Sequence, residues 1–170
     1  MKSVRSTKRF IALLAAVAAS AIVLPTAASA APPVRNQATV LSHVTIDNRD
    51  PSVGYVKAQY TCQPGPDVPH LWVSVKQNAS ATADPALTTE GSGFGHVSTT
   101  WVQSHPVNVR CDGKNHVQDF RVDTTEVIPD EFGGGTVGYG ALKRGQGYVQ
   151  FCLFAGDGAF IFDMQFQSVK

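Results

Sequence analysis

Charge is scarce in this sequence and nowhere clustered for work. Only 16% of the 170 residues are charged, and beyond the first ten positions the basic ones are scattered singly apart from Lys143-Arg144. A nucleic-acid groove needs grouped Lys and Arg to displace counterions, so no nucleic-acid partner is expected. Helical periodicity is missing as well: no window repeats apolar residues every 3.6 positions. The five His residues (His43, His70, His96, His105 and His116) form neither a His-x-His pair nor an i, i+4 helical pair, which leaves only a metal centre assembled from distant strands. Gly-x-Ser-x-Gly is absent, because Gly91-Ser92-Gly93 has the wrong spacing for a nucleophile elbow.

The remaining short signals read as turns. Asp47-Asn48-Arg49-Asp50 lacks the glycine and distal glutamate of a calcium loop. Gly91 to Gly95 and Gly133-Gly134-Gly135 precede no helix that could cradle a phosphate, and read as loop hinges. Asp130-Glu131 reads as a solvated pair, and Asn78-Ala79-Ser80 matches a glycosylation sequon. No catalytic residue, cofactor-binding residue or metal ligand is assigned, and the chain is read as a non-enzyme.

What is present begins with an export signal. Lys2, Arg5, Lys8 and Arg9 precede a mostly apolar run from Phe10 to Leu24, and Ala28-Ser29-Ala30 supplies the small residues that a signal peptidase reads. The run is short of the ~20 residues that span a bilayer. Residues 1–30 are therefore expected to be a secretory signal peptide cut before Ala31, followed by a flexible leader over residues 31–37 and a single domain over residues 38–170. Cleavage removes four of the 14 Lys and Arg and none of the 13 Asp and Glu, leaving a mature net charge of −3. No second run of spanning length follows, so the mature chain is expected outside the membrane, in the medium or on the envelope.

The mature chain alternates apolar and polar residues in short segments rich in Val, Thr, Tyr and Phe, the all-β pattern. Strands are predicted near residues 39–46, 53–62, 70–77, 96–103, 106–111, 116–125, 136–142, 147–154 and 159–167. Successive side chains of a strand point to opposite faces. Val56, Ala58, Tyr60 and Cys62 thus share an inward face, as do Leu71, Val73 and Val75, and Val107, Val109 and Cys111. Val137, Tyr139 and Ala141 are expected to do the same. Phe160, Phe162, Met164 and Phe166 are taken as inward, against Ile161, Asp163 and Gln165. Gly156-Asp157-Gly158 reads as the turn of an antiparallel C-terminal hairpin.

Three cysteines in an exported chain allow at most one internal disulfide. Parity places Cys62 and Cys111 on inward faces and Cys152 with Tyr148 and Gln150, so the predicted bond joins Cys62 to Cys111 across the interior. A closed loop of about 50 residues would stabilise the fold by roughly 4 kcal/mol. Cys152 is then the free thiol: a small semi-buried hydrophobe, an intermolecular disulfide partner, or a reactive group.

Tyr60-Thr61-Cys62, the strand Trp72-Val73-Ser74-Val75, and Cys111-Asp112-Gly113 with His116 carry a resemblance. Over residues 38–143 the chain resembles a group of small exported actinobacterial immunoglobulin-like β-sandwich proteins of unknown function. The resemblance implies an antiparallel immunoglobulin-like sandwich and a disulfide framework, with no catalytic role. The expected function is a non-enzymatic extracellular binding or surface-associated module without a cofactor, facing an extracellular or cell-envelope ligand. Its candidate contact residues are Trp72 and Tyr148, with Trp101 and residues 78–95. The alternatives are a thiol-dependent enzyme or redox protein using Cys152, and a small-ligand carrier with a cleft beside the Phe-rich hairpin.

Overall fold

The computed structural model describes residues 35–90, 97–106, 109–124 and 138–170. The expected signal peptide, residues 31–34 of the leader, both Gly-rich stretches, Val107, Val137 and Asp130-Glu131 lie outside these residues. The chain is all-β, as its alternating pattern predicts: β1 (Gln37–Ile46), β2 (Gly54–Thr61), β3 (His70–Gln77), β4 (Thr100–Ser104), β5 (Asn115–Val122), β6 (Gly145–Phe154) and β7 (Phe160–Val169), with a single helical turn, α1 (Ala86–Thr89). Among the described residues no helix is long and apolar enough to cross a membrane.

The seven strands form one hydrogen-bonded sheet in the order β4-β3-β6-β7-β1-β2-β5. Every neighbouring pair is antiparallel except β1 and β7, which run parallel at Val44 and Val169. The sheet curls at β1. Residues 37–41 of β1 pair with β2, the register breaks between Leu41 and Thr45, and Ser42 takes a positive φ of 58° at the break. Beyond it, Ile46 N–H donates to Lys170 O and Lys170 N–H to Val44 O, which joins the end of β1 to the end of β7. Before the break β1 and β7 are not paired, and side chains of β7 reach the β1 backbone. Asp163 accepts the Val40 N–H at 2.6 Å, and Gln165 Nε2 donates to Val40 O at 3.3 Å.

That arrangement corrects the parity of β7. In β6 the inward set is Val149, Phe151 and Leu153, all fully buried, and their direct partners on β7 are Gln165, Asp163 and Ile161. Paired residues on adjacent strands share a face. Ile161 therefore packs on the core, Asp163 and Gln165 serve the β1 backbone, and Phe160, Phe162, Met164 and Phe166 stand on the outer face. Apolar content alone points the other way, because the Phe-rich run is the more apolar of the two. The β6 register decides otherwise.

The core lies between the two halves of the curled sheet. Leu71, Val73 and Val75 of β3 and the inward residues of β6 meet Val40, Val56, Ala58, Tyr60, Phe120 and Val122. Phe151 is the meeting point, with ring centroids 5.5 Å from Phe120 and 6.2 Å from Tyr60.

The disulfide joins Cys62 to Cys111, as parity predicts, with Sγ atoms 2.09 Å apart. Its place differs from the expectation: Cys62 follows β2 and Cys111 sits in the approach to β5, the neighbouring strand, so the bond ties adjacent strands of one half. It does not cross the interior. The described part of residues 106–111 is not a strand, although Val109 and Cys111 pack on the core. Pro106 has no N–H to donate to a ladder. After Cys111 the chain turns at Gly113 (φ 74°), and His116 Nε2 lies 2.8 Å from Asp112 Oδ1, giving the Cys-Asp-Gly-x-x-His segment a structural role.

Two further strand boundaries shift. β4 begins at Thr100, later than predicted, and the described residues of 136–142 contribute one isolated bridge, Tyr139 to Trp101. Tyr139 is not inward: it packs edge-on against Trp101 at 6.3 Å, and Leu142 enters the core in place of the expected Tyr139 and Ala141.

Candidate functional site

Register sets out the outer face of β3, β6 and β7 as rows running across the strands. His70, Phe154 and Phe160 form one row; Trp72, Cys152 and Phe162 the next; then Ser74, Gln150 and Met164; then Lys76, Tyr148 and Phe166. β4 extends the last two rows with Gln103 beside Ser74 and Trp101 beside Lys76. All three aromatic residues singled out in the sequence, Trp72, Trp101 and Tyr148, thus share one face.

The two ends of that face differ. At the Trp101 end the aromatics are covered: Trp101 is 7% exposed and Tyr148 6%, with Tyr148 packed on Phe166 at 5.2 Å. Lys76 is almost fully buried here, its Nζ 4.4 Å from the centre of the Trp101 ring and donating to Glu90 O at 2.9 Å. A buried ammonium needs such partners. Burial pulls its pKa below the ordinary lysine value, partly offset by the Glu90 charge. Glu90 accepts the Ser98 N–H and hydroxyl, and Ser98 Oγ lies 2.5 Å from the Tyr139 hydroxyl. Residues 78–90 are in turn held by Asn78, whose amide oxygen accepts the Thr82 N–H and whose Nδ2 donates to Thr82 Oγ1. The sequon asparagine is therefore a buried turn anchor, turned away from solvent.

The opposite end is open. Phe160 is 46% exposed and Phe162 58%, with Phe154 and Met164 exposed beside them. His70 stacks on Phe154 at 4.5 Å, Phe154 lies tilted by 34° against Phe160 at 4.6 Å, and Phe160 lies 5.4 Å from Phe162. The first two spacings are close to the strand separation of about 4.8 Å, as expected of rings standing upright on adjacent strands. Trp72 donates its Nε1–H to Gln103 Oε1 at 3.2 Å, which fixes the indole.

Above Cys152 lies an open hollow of about 360 Å³. Trp72, Phe154, Phe160 and Met164 wall it, together with His70 and His105, the residue after β4. Burial pushes the Cys152 thiol up to about 11, and burial followed by the neighbouring His105 lowers His70. The thiol is free of disulfides and buried. Among the described residues no three His, Cys, Asp or Glu side chains converge as a metal-binding group.

Sequence reasoning placed Trp72 on this face, and missed Phe154, Phe160, Phe162, Met164 and the two histidines. A usable signal existed. The Gly156-Asp157-Gly158 turn pairs Phe154 with Phe160, and that register alone puts the β7 phenylalanines beside Cys152. No family model, curated protein or solved structure matches the chain.

Proposed function

We propose that this chain is an exported, non-enzymatic binding module whose contact surface is the open end of the outer β3-β6-β7 face. The observation that carries the reading is the exposed aromatic group around Phe160 and Phe162, adjoining the hollow above Cys152. Large apolar patches left in water by a folded domain mark interaction sites. The disulfide and the absence of a spanning helix among the described residues are compatible with export.

We also infer an immunoglobulin-like sandwich. The strand order supports it: β1-β2-β5 corresponds to strands A-B-E of that fold, and β4-β3-β6-β7 to C′-C-F-G. The chain departs from the antibody type in its disulfide, which leaves β6 unbridged.

The thiol-enzyme reading loses ground on the environment of Cys152. A nucleophilic thiol needs its pKa lowered by a neighbouring cation, whereas this one is raised by apolar burial.

The test is retention of the oxidised protein on envelope fractions and culture-fluid components of its host, compared with Phe160→Ser/Phe162→Ser. Retention by the parent and its loss in the double variant are expected. Equal retention by both, or rapid alkylation of Cys152 at neutral pH with loss of a measurable turnover, would overturn the reading.

A further inference from the structure

Resting on that reading, we infer that the partner of the open end is a second copy of this chain, docked face to face across a two-fold axis. The strand order excludes one other mode of contact. β3, β6 and β7 each have a neighbour on both sides in the sheet, so a partner meets this face through side chains and does not add a strand to it.

Charge points to a copy. No residue in the three rows at this end, from the His70 row to the Met164 row, is Lys, Arg, Asp or Glu. Recognition of a charged partner sets opposite potentials against each other, and these rows offer no counter-charge. A two-fold contact instead sets one patch against itself, so any charge close to the axis meets its own sign. An uncharged apolar patch is what such a contact tolerates.

Shape agrees. Phe162 is the most exposed of the aromatic group and stands outside the lining of the hollow. Phe160 and Met164, two residues to either side of it on β7, belong to that lining, as does Cys152, its direct partner on β6. An exposed ring thus borders an open apolar hollow. A self-complementary contact requires both on one face: Phe162 of each copy enters the hollow of the other, and the contact repeats across the axis.

Area sets the strength. The exposed fractions of Phe154, Phe160 and Phe162, at about 200 Å² per side chain, leave roughly 300 Å² of aromatic surface on each copy. A standard interface takes about 800 Å² from each partner. The aromatic group therefore supplies the apolar centre of a small interface with a polar rim. A reversible dimer follows, with Kd on the order of 10–100 μM.

Sedimentation equilibrium of the oxidised protein, over concentrations from about 1 to 500 μM that bracket this Kd, tests it. A plateau at the dimer mass is expected. Phe162→Ala removes the inserting ring and Met164→Trp fills the hollow, and each should weaken association by about tenfold or more. Mixed together, the two should associate again: the intact Phe162 of one fits the intact hollow of the other, and the truncated position faces the filled hollow. Both positions are exposed, so both variants should fold; Phe162→Ser or Met164→Phe replaces either one whose urea midpoint collapses. A monomer throughout, assembly beyond the dimer, parent-like association of either folded variant, or a mixture that stays monomeric would overturn the proposal. If the parent is monomeric while envelope retention still depends on Phe160 and Phe162, the partner assignment alone is wrong. If that retention is also unchanged in the double variant, the face itself is wrong.

Discussion

One sheet face carries two groups of aromatic residues that met different fates. At one end Trp101 and Tyr148 are buried, Trp101 against Tyr139 and Tyr148 against Phe166, with Lys76 clamped between the Trp101 ring and the Glu90 carbonyl. At the other, only four to six residues along the same strands, Phe154, Phe160 and Phe162 face water. The residue types are alike. What differs is whether a neighbouring segment carries the polar anchors that let it lie down on the strands: Asn78, Glu90 and Ser98 do this at the covered end. An outward aromatic is thus cover or contact according to the loop above it, and only the open end has surface to offer.

Removing Trp101 should break the covered end most severely. Trp101→Ala is expected to cost about 3–5 kcal/mol of stability, the range for deleting a large buried ring, read from urea unfolding midpoints at constant m-value.

The next largest effect is alkaline. The folded value of Cys152 is raised from 9.0 to about 11, so the folded state holds this proton longer than the unfolded chain does. Its contribution is intact below pH 9 and is lost as pH rises towards 11, by about 2–3 kcal/mol in full. Tyr148 is shifted the same way by burial, whereas burial shifts Lys76 in the opposite sense, so that its term improves with rising pH. The difference between parent and Cys152→Ala isolates the thiol: the variant should lose less stability between pH 8.5 and 10.5. An identical slope in both would contradict the buried environment.

Lys76→Ala should cost about 1–2 kcal/mol, because Glu90 O loses its donor and Trp101 the methylene stem lying on it. It should also raise the protease sensitivity of residues 78–90. Smallest of all, Phe162→Ser at the open end should change stability by no more than about 0.5 kcal/mol, as exposed substitutions do. A cost near that of Trp101→Ala would show that the two ends are equally covered, and would erase the contrast.

Much of this was legible from the chain, for local reasons. Strand alternation located β2, β3 and β6 and the inward Cys62, and the Gly-Asp-Gly turn located the hairpin, because strand parity and turn chemistry are short-range properties. The facing of β7 was not legible from composition. The β6 register turns Asp163 and Gln165 inward, and there they satisfy the Val40 backbone groups where β1 and β7 are not paired. That demand arises between strands more than 120 positions apart. The burial of Trp101 was hidden for a similar reason, since Tyr139 and the Lys76–Glu90 clamp beside it carry no mark of that role in the sequence.

Hydroxyl-radical footprinting of the folded, oxidised protein, read residue by residue by mass spectrometry, tests the outward facing of β7 most directly. Rapid oxidation of Phe160, Phe162 and Met164 is predicted, with Trp101 and Tyr148 protected although both are intrinsically more reactive than phenylalanine. Protection of the two phenylalanines together with oxidation of Trp101 would contradict it.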